Sequence, residues 1–178
     1  MPRPNLISHR LNNMSPAIIV AEPLTPESFA PYGEVLRPPD AIDRQHFAAD
    51  LVNLRPDARL NLSIVRSPVI DLAIEVNELE HHPYSAQAFI PIDVDHYVVL
   101  VTLNSEDDLP ELPRMKAFVA TRHQGICYRP GIWHLGMTTI QRPGAFALLV
   151  YEDGTANDCL FCRIPAARLD ISMAGVLS

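Results

Sequence analysis

Glu80 to Leu103 reads E-H-H-P-Y-S-A-Q-A-F-I-P-I-D-V-D-H-Y-V-V-L-V-T-L. It begins as a dense polar cluster, with a carboxylate, two imidazoles and a carboxamide inside eight residues, and then turns apolar. Phe89 to Ile92 and His96 to Leu103 are expected strands. The second is apolar at nearly every position, as a strand covered on both faces would be. Glu80 and His82 stand two apart, so on extended backbone their side chains leave the same face. His81 faces the other way and reads as structural. Gln87 can return to the same point after a turn at Pro83-Tyr84.

The rest of the chain repeats the pattern of short extended segments. A-I-I-V-A from Ala17, Glu34 to Arg37, Leu60 to Arg66 and Val69 to Leu79 precede the cluster. Met115 to Ala120, Ile126 to Tyr128, Met137 to Ile140, Ala145 to Tyr151 and Leu160 to Ile164 follow it. Seventeen prolines against seven glycines cut the chain into pieces too short for long helices. Thr25-Pro26-Glu27 has a capping hydroxyl, a proline at the first helical position and an acid in the first turn, so a short helix starts there. A second short helix is expected near Pro165 to Leu169. About ten short strands and almost no helix predict a mainly β fold, an antiparallel barrel or sandwich with a few short helices.

With 178 residues, the chain fits one domain, expected over 17–178 behind a disordered leader at 1–16. The segment 40–59 has mixed periodicity and reads as a loop with a short strand or helical turn. The net charge of −7, with 14 scattered basic residues, argues against a nucleic-acid partner. No apolar run approaches the roughly 20 residues that span a bilayer, so no membrane partner is expected. Three cysteines, Cys127, Cys159 and Cys162, suit a reducing cytoplasm better than a disulfide framework. Cys159 and Cys162 form C-x-x-C without a second pair, and read as ordinary small buried residues.

A second polar cluster, G-I-C-Y-R-P-G-I-W-H, runs from Gly125 to His134. Pro130-Gly131 makes a tight turn there that swings His134 inward. The two clusters are expected to face each other across one pocket. Within it, Glu80, His82 and His134 are the candidate catalytic residues. Arg66, Gln87, Tyr128 and Arg129 are the candidate substrate contacts, with strand alternation allowing only one of Tyr128 and Arg129 to point inward. A guanidinium such as Arg66 matches a substrate carboxylate in bidentate geometry, although an exposed strand-end arginine is the plainer reading. A carboxylate with two neutral imidazoles also suits a divalent transition ion, making Glu80, His82, Gln87 and His134 a candidate metal set with Gln87 the weakest ligand. Trp133 reads as core packing. Glu152, Asp153 and Asp158 read as solvated loop acids or subunit contacts.

The spacing E-x-H-x-x-x-x-Q, followed by G-x-x-x-x-P-G-x-x-H, resembles the two signature motifs of the cupin barrels, with Glu80 in place of the first motif histidine and Gln87 in place of the motif glutamate. Within that group, the Glu80 and Gly125 stretches are similar to the ureidoglycolate lyase family. So are A-E-P-L-T-P-E-S-F-A-P-Y-G-E-V-L at Ala21 to Leu36, L-S-I-V-R ending at Arg66, and N-D-C at Asn157 to Cys159. The resemblance covers about Ile18 to Ile164. It implies a cupin-like β-barrel that acts on a small-molecule substrate, splitting ureidoglycolate into glyoxylate and urea in allantoin and purine nitrogen catabolism. It also implies a homodimer, and no strictly required cofactor, with nickel as the divalent metal associated with the family. The chain departs from the family pattern at His81, at Tyr84-Ser85-Ala86 and at Leu135-Gly136, all beside the expected pocket. Two other readings share the same pocket: a different cupin enzyme on a related small hydroxy or ureido acid, and a non-catalytic small-molecule-binding cupin.

Overall fold

Alternation of apolar and polar side chains sets the strands, and proline and glycine set where they stop. The computed structural model describes residues 6–8, 16–70 and 75–172. In chain order its elements are β1 (Leu6–Ser8), β2 (Ala17–Pro23), α1 (Pro26–Phe29), β3 (Gly33–Leu36), β4 (Arg59–Ser67), β5 (Val76–His81), β6 (Gln87–Asp93) and β7 (His96–Thr102). A 3-10 turn at Leu112–Arg114 leads into β8 (Lys116–Thr121), β9 (Gly125–Tyr128), β10 (Trp133–His134), β11 (Thr138–Thr139), β12 (Gly144–Glu152) and β13 (Leu160–Asp170). The fold is mainly β, as the segment lengths predict.

The strands form two sheets. The smaller runs β3-β9-β6-β12-β4, antiparallel throughout. The larger runs β1-β13-β2-β8-β7-β10-β5, with β11 beside β7. Its β13 also pairs with β5, so this sheet closes on itself into a barrel. Most pairings are antiparallel, but β1–β13, β13–β2 and β2–β8 are parallel.

The apolar character of β7 follows from its position between two cores. Tyr97, Val99 and Val101 join Phe29, Phe89, Phe118, Tyr128 and Phe146 in the core between the sheets. Val98 and Leu100 point the other way, onto Leu79, Val119, Trp133, Cys162 and Leu169. Each fully buried Leu, Val or Phe contributes on the order of 1.5–3 kcal/mol, so the strand next to the site is among the best anchored. The single turn of α1 delivers Phe29 to the first core. Its Thr25 cap accepts from the Ser28 N–H at 3.2 Å, while the Ser28 hydroxyl accepts from the Thr25 N–H at 3.3 Å.

Two expectations need correction. The segment expected as a helix near Pro165 to Leu169 is the C-terminal half of β13. The pairing of β13 with β5 shifts register between Arg163 and Ala167, so the buried positions run Cys162, Ile164, then Ala167, Leu169. That bulge inserts a three-residue spacing, which imitates a helical period, and it accommodates Pro165. Within the expected leader, Leu6–Ser8 form β1 alongside Phe161–Arg163; residues 1–5 and 9–15 lie outside the described residues. The run expected from Val69 to Leu79 is a strand only from Val76, and 71–74 lie outside the described residues.

Residues 40–58 form no regular element and Arg59 already opens β4, but the segment is tied to the turn that follows His82. Asn53 bridges Ser85, the Leu54 N–H donates to the Tyr84 carbonyl, and the Ala86 N–H donates to that of Val52, the last two at 2.8 Å. Among the described residues, no helix is long and apolar enough to cross a membrane. All three cysteines are free thiols.

Candidate active site

The pairing of β10 with β5 sets His134 directly opposite Glu80. His82 follows one residue after β5 ends, on the same face as Glu80, and Gln87 opens β6. The turn between β9 and β10 depends on Gly131, which has φ of 83°, a left-handed conformation that glycine adopts without penalty. Its N–H donates to the His82 carbonyl at 2.9 Å, locking the two halves of the site together.

The four polar side chains converge. One ligand atom each from Glu80, His82 and His134 lie within 4.8 Å of one another. Gln87 joins them, with Nε2 at 2.9 Å from His82 Nε2. Hydrogen-bond partners fix both histidine tautomers. His82 Nδ1 lies 2.7 Å from the Asp158 carbonyl and His134 Nδ1 lies 2.9 Å from the Ile132 carbonyl. A carbonyl only accepts, so both Nδ1 atoms carry hydrogen and both Nε2 atoms are turned toward the cluster.

Burial shapes the charges. It pushes the Glu80 carboxyl up, but contact with His134 and attraction to the two imidazoles when they carry a proton outweigh it and hold the group below the usual carboxylate range. Burial, reinforced by His134, lowers His82 to about 4, so this ring is neutral at physiological pH. Behind His134 lies Tyr128, stacked on it with ring centroids 4.2 Å apart. His82 also stacks on His134, with centroids 5.6 Å apart.

Glu80, His82 and Gln87 line an open cavity of about 440 Å³, the size of ordinary small-molecule sites, and buried His134 reaches it through its contact with Glu80. Glu80, His82 and Gln87 lie on one wall and Arg66 on another, with Phe89 and Met137 among the apolar lining. Arg66 is exposed on β4, and no carboxylate of the described residues pairs with it.

The other candidates fall elsewhere. Tyr128 is 2% exposed and supports His134 from behind instead of lining the cavity. Arg129 points outward, donates to the Ala30 carbonyl and is not among the residues that line the cavity. His81 stacks on Trp133 with centroids 4.4 Å apart, on the face away from the cavity, as its odd position in the strand predicts. Burial pushes the Cys127 and Cys159 thiols up to about 12, which leaves no thiolate for chemistry. Two acids read as solvated loop groups are part of the site. Glu152 lines the cavity and accepts from Asn61 Nδ2 at 2.6 Å, and Asp158 supplies the carbonyl that holds His82. No local sequence signal marks them, because long-range pairing places both.

The ureidoglycolate lyase family pattern matches residues 16–167. Curated relatives with that name include a protein of Pseudomonas syringae pv. syringae (strain B728a), 32% identical over 151 residues, covering 79% of this chain and 86% of the relative. Another, from Pseudomonas fluorescens (strain SBW25), is 34% identical over 151 residues, covering 79% and 88%. Among solved structures, RmlC from Streptococcus suis in complex with dTDP-D-xylose aligns over 56% of this chain and 46% of its own, with a TM-score of 0.39 and 15% identity.

Proposed function

The chain belongs to the ureidoglycolate lyase family, and we propose on that premise that it is a lyase cleaving ureidoglycolate to glyoxylate and urea. The observation that carries this reading is the convergence of Glu80, His82 and His134 within 4.8 Å at a cavity with Arg66 on its wall. Ureidoglycolate has one carbon bearing a hydroxyl, a carboxylate and a urea nitrogen. Its C–N bond breaks as the hydroxyl loses its proton to become the glyoxylate carbonyl, and the departing nitrogen must gain a proton. The net reaction moves one proton from oxygen to nitrogen, so a base and an acid at the same carbon suffice.

Neutral His82 offers the hydroxyl proton its Nε2 lone pair, which accepts from the Gln87 amide until substrate displaces that contact. The proton held between Glu80 and His134 goes to the urea nitrogen. The proton taken up at His82 Nε2 then passes by way of the Glu80 carboxylate back to the Glu80–His134 pair, which resets the site. Arg66 holds the substrate carboxylate as a bidentate fork. Gln87 turns its amide to the ureido group, for which its buried Oε1, without a partner of its own, is a ready acceptor.

The same residues fit a divalent ion. His134 Nε2 is buried without a well-aligned hydrogen bond, both Nε2 atoms face inward, and a carboxylate oxygen completes the set. Glu80, His82 and His134 would hold the ion, with Gln87 beside them. When bound, it would supply Lewis-acid polarisation of the substrate hydroxyl and carboxylate oxygens.

Three free thiols support a cytoplasmic enzyme as part of the same reading. It is a homodimer through the outer face of the smaller sheet. Leu60, Leu62 and Ile64 stand out from β4 at 48%, 66% and 65% exposure. Ile64 continues through Ala147 on β12 to Ile90 on β6, which is 45% exposed. An apolar row of this kind along an edge strand is what a second copy would cover. Leu62→Glu with Ile64→Glu would give a monomer by light scattering if this face pairs, and an unchanged mass would rule it out.

The activity test is glyoxylate release from ureidoglycolate by the wild type, His82→Ala and His134→Ala. Absence of wild-type turnover would remove the substrate assignment. Unchanged turnover in both variants would remove the site.

A further inference from the structure

His82 takes its orientation from a turn that lies outside the cavity. The Asp158 carbonyl, 2.7 Å from His82 Nδ1, belongs to the connection between β12 and β13, with no strand ladder to hold it. The turn is held by its own acids. The Asp158 carboxylate accepts from the Asp153 N–H at 3.0 Å and the Gly154 N–H at 2.7 Å. The Asp153 carboxylate accepts from the Thr155 N–H at 2.9 Å and hydroxyl at 2.6 Å. Folding the turn this way brings two carboxylates together, which repel unless a cation lies between them.

Arg55 is that cation. Its Nη1 lies 2.7 Å from Asp153 Oδ2 and its Nη2 lies 2.6 Å from Asp158 Oδ1. Nη2 also donates to the Tyr151 carbonyl at 3.3 Å, at the end of the strand that enters the turn. The guanidinium carbon sits 5.5 Å from the centre of the Tyr84 ring, two residues past His82. The side chains of Arg55 and Asp158 are each 14% exposed, so water screens this pair less than a surface pair. Arg55 itself does not line the cavity. Its place is set by the Asn53–Ser85 bridge and by the Asn53 side chain, which accepts from the Arg55 N–H at 3.0 Å.

We propose that Arg55 is a positioning residue of the lyase site. It fixes the 153–158 turn and, through the Asp158 carbonyl, holds His82 in the Nδ1–H tautomer with its Nε2 lone pair facing the cavity. A hydrogen bond to the far nitrogen of a histidine determines which nitrogen faces the reaction, and loss of such a support costs on the order of 10- to 100-fold where it has been measured at metal sites. The proposal rests on the reading that His82 belongs to the catalytic centre, but the tautomer can be read without turnover.

The test uses the full chain labelled with 15N-histidine, freed of metal by chelation, at a pH where His82 is neutral. In the wild type, His82 gives a protonated-type Nδ1 signal and an unprotonated-type Nε2 signal. In Arg55→Met, the His82 signals shift toward a mixture of tautomers. Those of His134 stay put, because its Nδ1 is tied to Ile132 in its own segment. Glyoxylate release by Arg55→Met falls on the order of tenfold in kcat with little change in KM, and Arg55→Lys recovers part of it. A single unchanged His82 tautomer with wild-type kcat in Arg55→Met would overturn the proposal. If Arg55→Met does not fold, Asp158→Asn removes the ion pair while keeping the backbone carbonyl, and the same two outcomes decide. If the wild type releases no glyoxylate, the proposed activity fails, and the tautomer signals alone decide the role of Arg55.

Discussion

His134 Nε2 lies 3.1 Å from Glu80 Oε1 while its Nδ1–H is spent on the Ile132 carbonyl. A bare Nε2 lone pair would repel the carboxylate at that distance, so a proton or a cation must sit between the two. The pair is 1% and 20% exposed on its two side chains, which keeps water from replacing that charge. This relationship links the acid–base and metal readings of the site, since both put positive charge at one place.

Glu80→Gln tests it. The amide preserves shape but removes the carboxylate that faces His134 Nε2. The expected result is a fall in kcat on the order of 10²- to 10⁴-fold, the usual contribution of a positioned acid or base. Far-UV circular dichroism should be unchanged. A variant with wild-type kcat would show that Glu80 takes no part in proton transfer.

Stability should fall as pH drops through a window set by His82. Folding lowers this group to about 4, from an ordinary value of about 6.5 in the unfolded chain. Above pH 6.5 neither state is protonated and the stability is fully present. As pH falls from 6.5 to 4, the unfolded chain takes up a proton that the folded chain refuses, and about 3 kcal/mol is lost. Urea titrations of metal-free protein at pH 7.5 and 4.5 would measure this, and His82→Gln should flatten the difference. Equal pH dependence in both proteins would mean that His82 is not held neutral by the fold.

Much of the fold and half of the site were legible because they depend on local period. The continuous apolar run of β7 reports its burial directly, and the two-residue offset of Glu80 and His82 reports a shared face. The alternation in β4 marks an extended strand but not its buried side, since Leu60, Leu62 and Ile64 stand exposed. At Ile164 and Ala167 a bulge gives strand residues a helical spacing, so local period does not separate the two there. What stayed hidden was set by partners far along the chain. Arg55 lies 103 positions from Asp158, and Glu152 lies 91 from Asn61. Neither contact leaves a trace in a local window. Tyr128 and Arg129 show the remaining limit: alternation says that one points in, but an inward side chain can pack behind a catalytic ring instead of lining the cavity.

Arg66 is expected to act on binding more than on chemistry. Arg66→Gln should raise KM about 10- to 100-fold and leave kcat within a few-fold, the pattern of an interaction made equally in ground and transition states. Charge-assisted bidentate pairs are roughly twice as strong as neutral hydrogen bonds, so Arg66→Lys should recover only part of the loss. Initial-rate kinetics across a range of ureidoglycolate concentrations separates the two constants. A fall in kcat with KM unchanged would move Arg66 from substrate binding to the reacting centre.

Gly131 joins stability to the site. A Cβ there would meet His81 Nε2 at 3.5 Å and Asn104 Nδ2 at 3.7 Å, which are ordinary contacts, so any cost of Gly131→Ala comes from the backbone. At φ of 83° an L-residue costs roughly 1–2 kcal/mol. For a chain of this size each 1 kcal/mol lowers Tm by about 2–4 °C, so a fall of roughly 2–8 °C is expected. If the turn instead relaxes to relieve the strain, the Gly131 N–H leaves the His82 carbonyl and β10 shifts against β5, carrying His134 away from Glu80. Thermal melts and glyoxylate assays on the same preparation distinguish the two outcomes. A lowered Tm with intact kcat means that the ladder holds the strain, whereas a near-normal Tm with depressed kcat means that the turn has moved and taken His134 with it.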